Sequence, residues 1–252
     1  MNIELSDRFM SIIKSARRVV ISTGAGVSAE SGMPTFRGAD GLWKKFRPEE
    51  LATFEAFQAN PQIVWEWYQY RREIIHNIKP NPGHYAIAAM PEYFESFDLI
   101  TQNVDGLHRA AGSTDIIELH GNIMRNKCVD CGELSDDLEF AQFPPMCKCG
   151  GRLRPDVVWF GEMLPAGALE RADRAAASCD IFFSVGASGV VQPAASLPYT
   201  ARRNGAFVVE INPEPTELTY ITDEHFCGRS GEILPAILDK IKSVRSRCLT
   251  AN

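Results

Sequence analysis

Thr23-Gly24-Ala25-Gly26-Val27-Ser28-Ala29-Glu30-Ser31-Gly32-Met33-Pro34-Thr35-Phe36-Arg37-Gly38 is the stretch that decides how the chain is read. The β-branched run Arg18-Val19-Val20-Ile21-Ser22 leads into it and reads as a buried strand. Gly24 and Gly26 allow a tight turn and a close approach of backbone to a ligand. Ser28 to Ser31 reads as one turn of helix whose N–H groups favour a phosphate. Gly24, Gly26 and Ala29 fit the dinucleotide spacing G-x-G-x-x-G/A, although a plain glycine-rich strand-to-helix turn has the same look. Gly32 and Pro34 stop the helix within a few residues, so a ligand here is expected to be held by a loop and not by a helix end alone.

Working outward, 252 residues allow one large domain, or a large and a small one. The hydrophobic content of 45% is that of a globular protein, and no run approaches the ~20 apolar residues of a membrane span. Glu4, Asp7, Arg8 and Lys14 break the N-terminal segment, which therefore does not read as a secretory signal. With 26 basic and 32 acidic residues the net charge is −6, which argues against a nucleic-acid binder and suits basic peptide partners. The missing export signal and the clustering of four of the seven cysteines lead to the expectation of a reducing cytoplasm.

An amphipathic helix is expected within 3–17, short helices within 39–60, a clear helix over 64–75 ended by Pro80 and Pro82, and another over 83–95. Strands are expected at 97–101, 115–119, 180–185 and 206–211, with 156–162 as a further strand or extended loop. Helices over 165–179, 193–203 and 231–246 complete the alternation. The pattern predicts an α/β fold: a doubly wound, mostly parallel Rossmann-like sheet covered on both faces, with a smaller inserted zinc-binding and helical module. The large domain is expected over 1–44, 83–122 and 155–252, and the small module over 45–82 and 123–154.

Cys128-x2-Cys131 and Cys147-x-Cys149 form two close pairs fifteen residues apart. Such pairs can place four thiolates around one zinc ion, and four protein ligands make that ion structural. Cys179, Cys227 and Cys248 show no ligand spacing. Gln102-Asn103-Val104-Asp105 and His120-Gly121-Asn122 follow strands, where ligands bind in open α/β sheets. By themselves the first is also an Asx-capped turn and His120 also a structural histidine.

Taken together, the glycine loop, Gln102-Asn103-Val104-Asp105, Leu119-His120-Gly121-Asn122, Val157-Val158-Trp159-Phe160-Gly161-Glu162, Gly186-Ala187-Ser188 and Asn212-Pro213-Glu214 resemble the sirtuins, NAD-dependent protein lysine deacylases, over nearly the whole chain. The short ends resemble the minimal prokaryotic form. The resemblance implies that His120 is the general base and that Gln102, Asn103 and Asp105 organise the nicotinamide ribose and an attacking water, with Asn103 also catalytic. It implies a cofactor site of Gly24, Ala25, Gly26, Glu30, Phe36, Arg37, Trp43, Gln102, Asn103, Val104, Asp105, Gly186, Ala187, Ser188, Asn212, Pro213, Glu214 and Ser230. Ala187 departs from the family's usual Thr. Val157, Val158 and Phe160 resemble the strand that pairs with the substrate peptide. NAD is then consumed, giving nicotinamide, O-acyl-ADP-ribose and free lysine.

Tyr68 and Arg71, three apart on one helix face, resemble the mark of class III sirtuins, which remove succinyl and malonyl groups, and Ala52 resembles the small residue that widens their acyl pocket. A planar guanidinium fork and a hydroxyl suit a carboxylate, so deacetylation is expected to be weaker but present. The alternatives are a sirtuin acting mainly as deacetylase or ADP-ribosyltransferase, a redox dehydrogenase using the same glycine loop, and a non-catalytic zinc-ribbon binding module. The partners expected are acyl-lysine proteins or peptides, with neither membrane nor direct nucleic-acid binding.

Overall fold

A computed structural model of the chain describes residues 3–36, 47–138, 140 and 142–246. Ser6 caps α1 (Asp7–Ser15) by accepting the Phe9 N–H, and Phe9 and Ile13 turn inward. β1 (Arg18–Thr23) runs into the short α2 (Gly26–Ala29). Next come α3 (Pro48–Leu51), α4 (Phe54–Ala59) and α5 (Pro61–Asn77). α5 begins on Pro61 with Asn60 as its cap, a start that proline favours. α6 (Pro82–Ala89) carries a capping box between Asn81 and His84.

β2 (Ser96–Thr101), α7 (Leu107–Ala110) and β3 (Ile116–Glu118) follow. β4 (Gly121–Cys128), β5 (Leu134–Ser135) and β6 (Leu153–Val157) form a small antiparallel sheet in the order β5-β4-β6. The chain then returns through α8 (Ala168–Ser178), β7 (Ile181–Val185), α9 (Leu197–Arg203), β8 (Phe207–Asn212), β9 (Glu224–Cys227) and α10 (Ser230–Val244).

The main sheet is parallel with the order β3-β2-β1-β7-β8-β9. Strand order reverses between β1 and β7, the switch point at which open α/β sheets bind ligands beyond their strand ends. One face packs Ile21, Phe183, Val185 and Val209 against Phe9, Ile87, Leu234 and Ile237. The other packs Val20, Phe182 and Val208 against Ala172, Ala176, Leu197 and Ala201. Burial on both faces explains the continuous apolar strands. A third cluster, built on Phe57, Val64, Trp65, Trp67, Leu153 and Trp159, joins α4 and α5 to the small sheet. No helix among the described residues is long and apolar enough to cross a membrane.

The doubly wound α/β sheet expected from the sequence is present. The differences from expectation lie in the small sheet and at the edge of the main one. Residues 156–162 begin as the end of β6, which pairs antiparallel with β4 and does not extend the parallel sheet. β4 itself has no alternating apolar pattern, because it is bulged between Asn122 and Asn126 and its side chains serve polar contacts. β9 adds an edge strand where no strand was expected.

Candidate functional site

The β1–α2 turn sits backbone to backbone on the end of β7. Gly24 N–H donates to Val185 O and Gly26 N–H to Gly186 O, each at 2.9 Å. A Cβ on Gly24 would lie 2.7 Å from Ala187 Cα, and one on Gly26 would lie 2.7 Å from Gly186 Cα. The close approach that these glycines permit is therefore first to the neighbouring loop. The N–H groups of Val27 and Ser28 are also bonded, to Gly24 O and Ala25 O. This corrects the expectation of an open phosphate cradle: α2 spans 26–29 and not 28–31, and its first amides are used in closing the turn.

Beyond the strand ends lies a cleft of about 1110 Å³. Gly24, Ala25, Gly26, Phe36, Gln102, Asn103, Val104, His120, Gly186, Ala187, Ser188, Asn212, Pro213 and Glu214 line it. Ala52, Tyr68, Arg71, Val157, Val158 and Phe160 line the same cleft, so both expected residue sets face one continuous space. A smaller recess of about 270 Å³ shares Gly26, Gly186 and Pro213 and adds Glu30 and Ser230. Glu30 accepts from Gly231 N–H at 2.8 Å, capping α10 from outside because Arg229 supplies no side-chain cap. Asp105 lies behind the wall. It accepts from Ser28 Oγ at 2.7 Å and Leu107 N–H at 2.9 Å, and burial raises its pKa against these bonds. Arg37, Trp43 and Cys248 lie outside the described residues.

His120 Nδ1 is 3.0 Å from the Gln102 carbonyl oxygen. A carbonyl only accepts, so Nδ1 carries the proton and Nε2 keeps its lone pair. Burial lowers the His120 pKa and the Gln102 bond partly opposes this, leaving a neutral imidazole at pH 7. Asn103 Nδ2 donates to Gly24 O at 3.1 Å and to Ser28 Oγ at 3.3 Å, which leaves its Oδ1 to accept from a ligand hydroxyl or water. Below this floor, His84 and His108 face each other at 4.9 Å between ring centroids. His84 approaches Ser28 Oγ at 3.4 Å and His108 lies 2.9 Å from Thr23 Oγ1. The sequence assigns no side-chain role to Ser28, His84 or His108. Only the fold brings them together.

On the small-module side Tyr68 and Arg71 are 2% and 4% exposed. The Arg71 guanidinium lies 4.8 Å from the Phe36 ring centroid, and its Nε has no hydrogen-bond partner among the described residues. Burial lowers its pKa, opposed by Tyr68 and Asp105. The peptide N–H groups of Val158, Trp159 and Phe160 are all engaged, with His120 O, Glu162 Oε2 and Ala52 O.

The Sγ atoms of Cys128, Cys131, Cys147 and Cys149 all lie within 4.8 Å of one another, with 3.5 Å between Cys128 and Cys149 and 3.8 Å between Cys131 and Cys147. Tetrahedral zinc with bonds of about 2.3 Å needs sulfurs about 3.8 Å apart, so the four thiols fit that ion. Among the other cysteines, Cys179 is buried and Cys227 exposed.

A glycine turn, a half-buried histidine and polar strand ends around one cleft, beside a small sheet that carries four clustered cysteines, define an α/β protein with a nucleotide-type site. The profile described as "Sir2 family" matches residues 24–193. The chain is 54% identical to an NAD-dependent protein deacylase of Aquifex aeolicus, over 89% of this chain and 95% of that protein. It is 52% identical to NAD-dependent protein deacylase 2 of Pyrobaculum aerophilum, over 92% and 94%. A Sir2 homologue–NAD complex superposes with a TM-score of 0.89 at 43% identity, covering 96% of each chain. A Sir2 homologue bound to a myristoylated histone peptide superposes with a TM-score of 0.74 at 34% identity, covering 94% of this chain and 96% of that one. This chain belongs to the Sir2 family, the sirtuins.

Proposed function

We propose that this sirtuin removes acyl groups from protein lysines at the expense of NAD, and that it prefers acyl groups ending in a carboxylate. The family and the deacylase names of its relatives support the first half. One observation carries the second: Arg71 is a buried guanidinium in the cleft wall with an unpartnered Nε, beside the buried Tyr68. A buried guanidinium with an unsatisfied N–H is costly, and a ligand carboxylate relieves that cost.

The residues then divide the work. The loops after β1, β2, β7 and β8 hold NAD, and when bound it supplies an electrophilic ribose carbon and a leaving nicotinamide. His120 Nε2 accepts the ribose hydroxyl proton, directly or by relay, while Gln102 O fixes the tautomer that makes this possible. Asn103 orients a hydroxyl or water through Oδ1. Val158 and its neighbours border the acyl-lysine channel. With its N–H engaged by His120 O, Val158 offers its carbonyl group to a substrate peptide. Cys128, Cys131, Cys147 and Cys149 hold zinc as a structural ion.

The test is mass spectrometry of one lysine peptide carrying acetyl, malonyl, succinyl or glutaryl, with and without NAD. NAD-dependent loss favouring succinyl or malonyl is expected, and Arg71→Met is expected to lower succinyl turnover about ten- to hundredfold, the worth of one charge-assisted hydrogen bond. Preference for acetyl in the wild type, or normal desuccinylation by Arg71→Met, would overturn the acidic-acyl assignment.

A further inference from the structure

We infer that Trp159 is a specificity-determining positioning residue: its indole N–H locks the Tyr68 hydroxyl as a hydrogen-bond donor to the carboxylate of an acidic acyl group. This rests on the acidic-acyl reading and explains how a tyrosine oxygen, itself an acceptor, tolerates an anion.

Trp159 Nε1 lies 2.8 Å from Tyr68 Oη. An indole nitrogen only donates, so the phenol oxygen accepts and its own proton must point elsewhere. Both residues line the cleft, and Arg71 follows Tyr68 by three residues on the same helix face. With the acceptor side occupied, the phenol presents O–H to the pocket and not a lone pair. Burial raises the Tyr68 pKa, which keeps that proton on the oxygen.

Trp159 is itself held on several sides. Its peptide N–H donates to Glu162 Oε2 at 2.8 Å, and Glu162 pairs with both terminal guanidinium nitrogens of Arg154. The Arg154 guanidinium carbon lies 3.3 Å from the indole centroid, and Phe57 packs at 5.4 Å with a 42° tilt. The indole therefore cannot swing away from Tyr68. The stretch Trp159-Phe160-Gly161-Glu162 acts on the acyl end through this clamp. An acetyl group has no carboxylate to receive the donated bond, so the effect falls on acidic acyls.

The experiment measures kcat and KM at saturating NAD on succinyl- and acetyl-lysine peptides, for wild type, Arg71→Met, Tyr68→Phe, Trp159→Phe and the Trp159→Phe/Tyr68→Phe pair. Trp159→Phe is expected to lower the succinyl-to-acetyl ratio of kcat/KM about three- to tenfold through a raised succinyl KM. In the Tyr68→Phe background it should change that ratio less than twofold. A structural role would lower kcat on both peptides and act independently of Tyr68. An unchanged ratio in Trp159→Phe, with Arg71→Met still losing succinyl preference, overturns the inference and leaves the acidic-acyl reading standing. A wild type without succinyl preference overturns both. Where Trp159→Phe does not fold, replacing Trp159 by benzothienylalanine removes the N–H while keeping the ring shape, and the same ratio decides.

Discussion

His120 shows how one backbone contact sets a tautomer. Its proton sits on Nδ1 because Gln102 offers only a carbonyl, and burial keeps the ring neutral. In the proposed role of base, His120 works unprotonated, so activity is expected to be lost only as pH falls through the lowered pKa. The acidic limb of kcat/KM against pH on an acetyl-lysine peptide, which reports groups of the free enzyme, is therefore expected below the ordinary histidine value of 6.5. A limb above that value would remove His120 from the base role. The sequence made the four cysteines visible through their spacing and His120 through its place after a strand, while the roles expected of His120 and of the Tyr68–Arg71 pair came from the resemblance to sirtuins. It left Trp159, Ser28 and His84 without a role. Their partners lie 91, 77 and 56 residues away in sequence, for Trp159 to Tyr68, Ser28 to Asp105 and His84 to Ser28, and no local pattern encodes such contacts.

At the scale of elements, the meeting of the β1–α2 turn with the end of β7 is the joint on which the cleft depends. Gly186 has φ +59°, and a Cβ there would fall 2.4 Å from Val27 N. Both the left-handed backbone and the contact demand glycine. Gly186→Ala is expected to lower stability by about 1–3 kcal/mol and to abolish the NAD-induced rise in melting temperature. A variant that melts normally and still shifts with NAD would show that the two loops separate without harm. The parallel strands were legible as apolar runs between polar ends. β4 was not, since Asn122 and Asn126 turn their amides to backbone and side-chain partners and interrupt any alternation. β9 was missed because Glu224-His225-Phe226-Cys227 is too short and mixed to signal a strand.

The molecule as a whole buries two imidazoles that resist protonation. Burial lowers the pKa of His84 to about 4 and that of His108 to about 3, the latter also through His84. Unfolded, both titrate near 6.5, so between that value and the folded pKa the unfolded chain binds more protons. Stability is complete above pH 6.5 and falls as the solution is acidified. Between pH 7.5 and 5 the loss is about 2 kcal/mol for each histidine. Urea midpoints at the two pH values check this, and equal midpoints would mean that the pair is solvated or charged in the folded state.

The four-cysteine cluster and the histidine also belong to one mechanical piece. His120 immediately precedes β4 and Cys128 ends it, an eight-residue strand about 26 Å long. Its first pairing, Gly121 with Val157, adjoins the bond from Val158 N–H to the His120 carbonyl. A strong chelator, which would strip a metal ion from the four thiols, is expected to abolish deacylation and loosen the small sheet, read as loss of amide-exchange protection over β4 and β6. Full activity in a metal-free sample would break the link. Cys131 and Cys149 are exposed. An electrophile or oxidant that attacks those thiols from solvent would thus silence the enzyme without entering its cleft, a form of inhibition that neither NAD nor peptide can compete away.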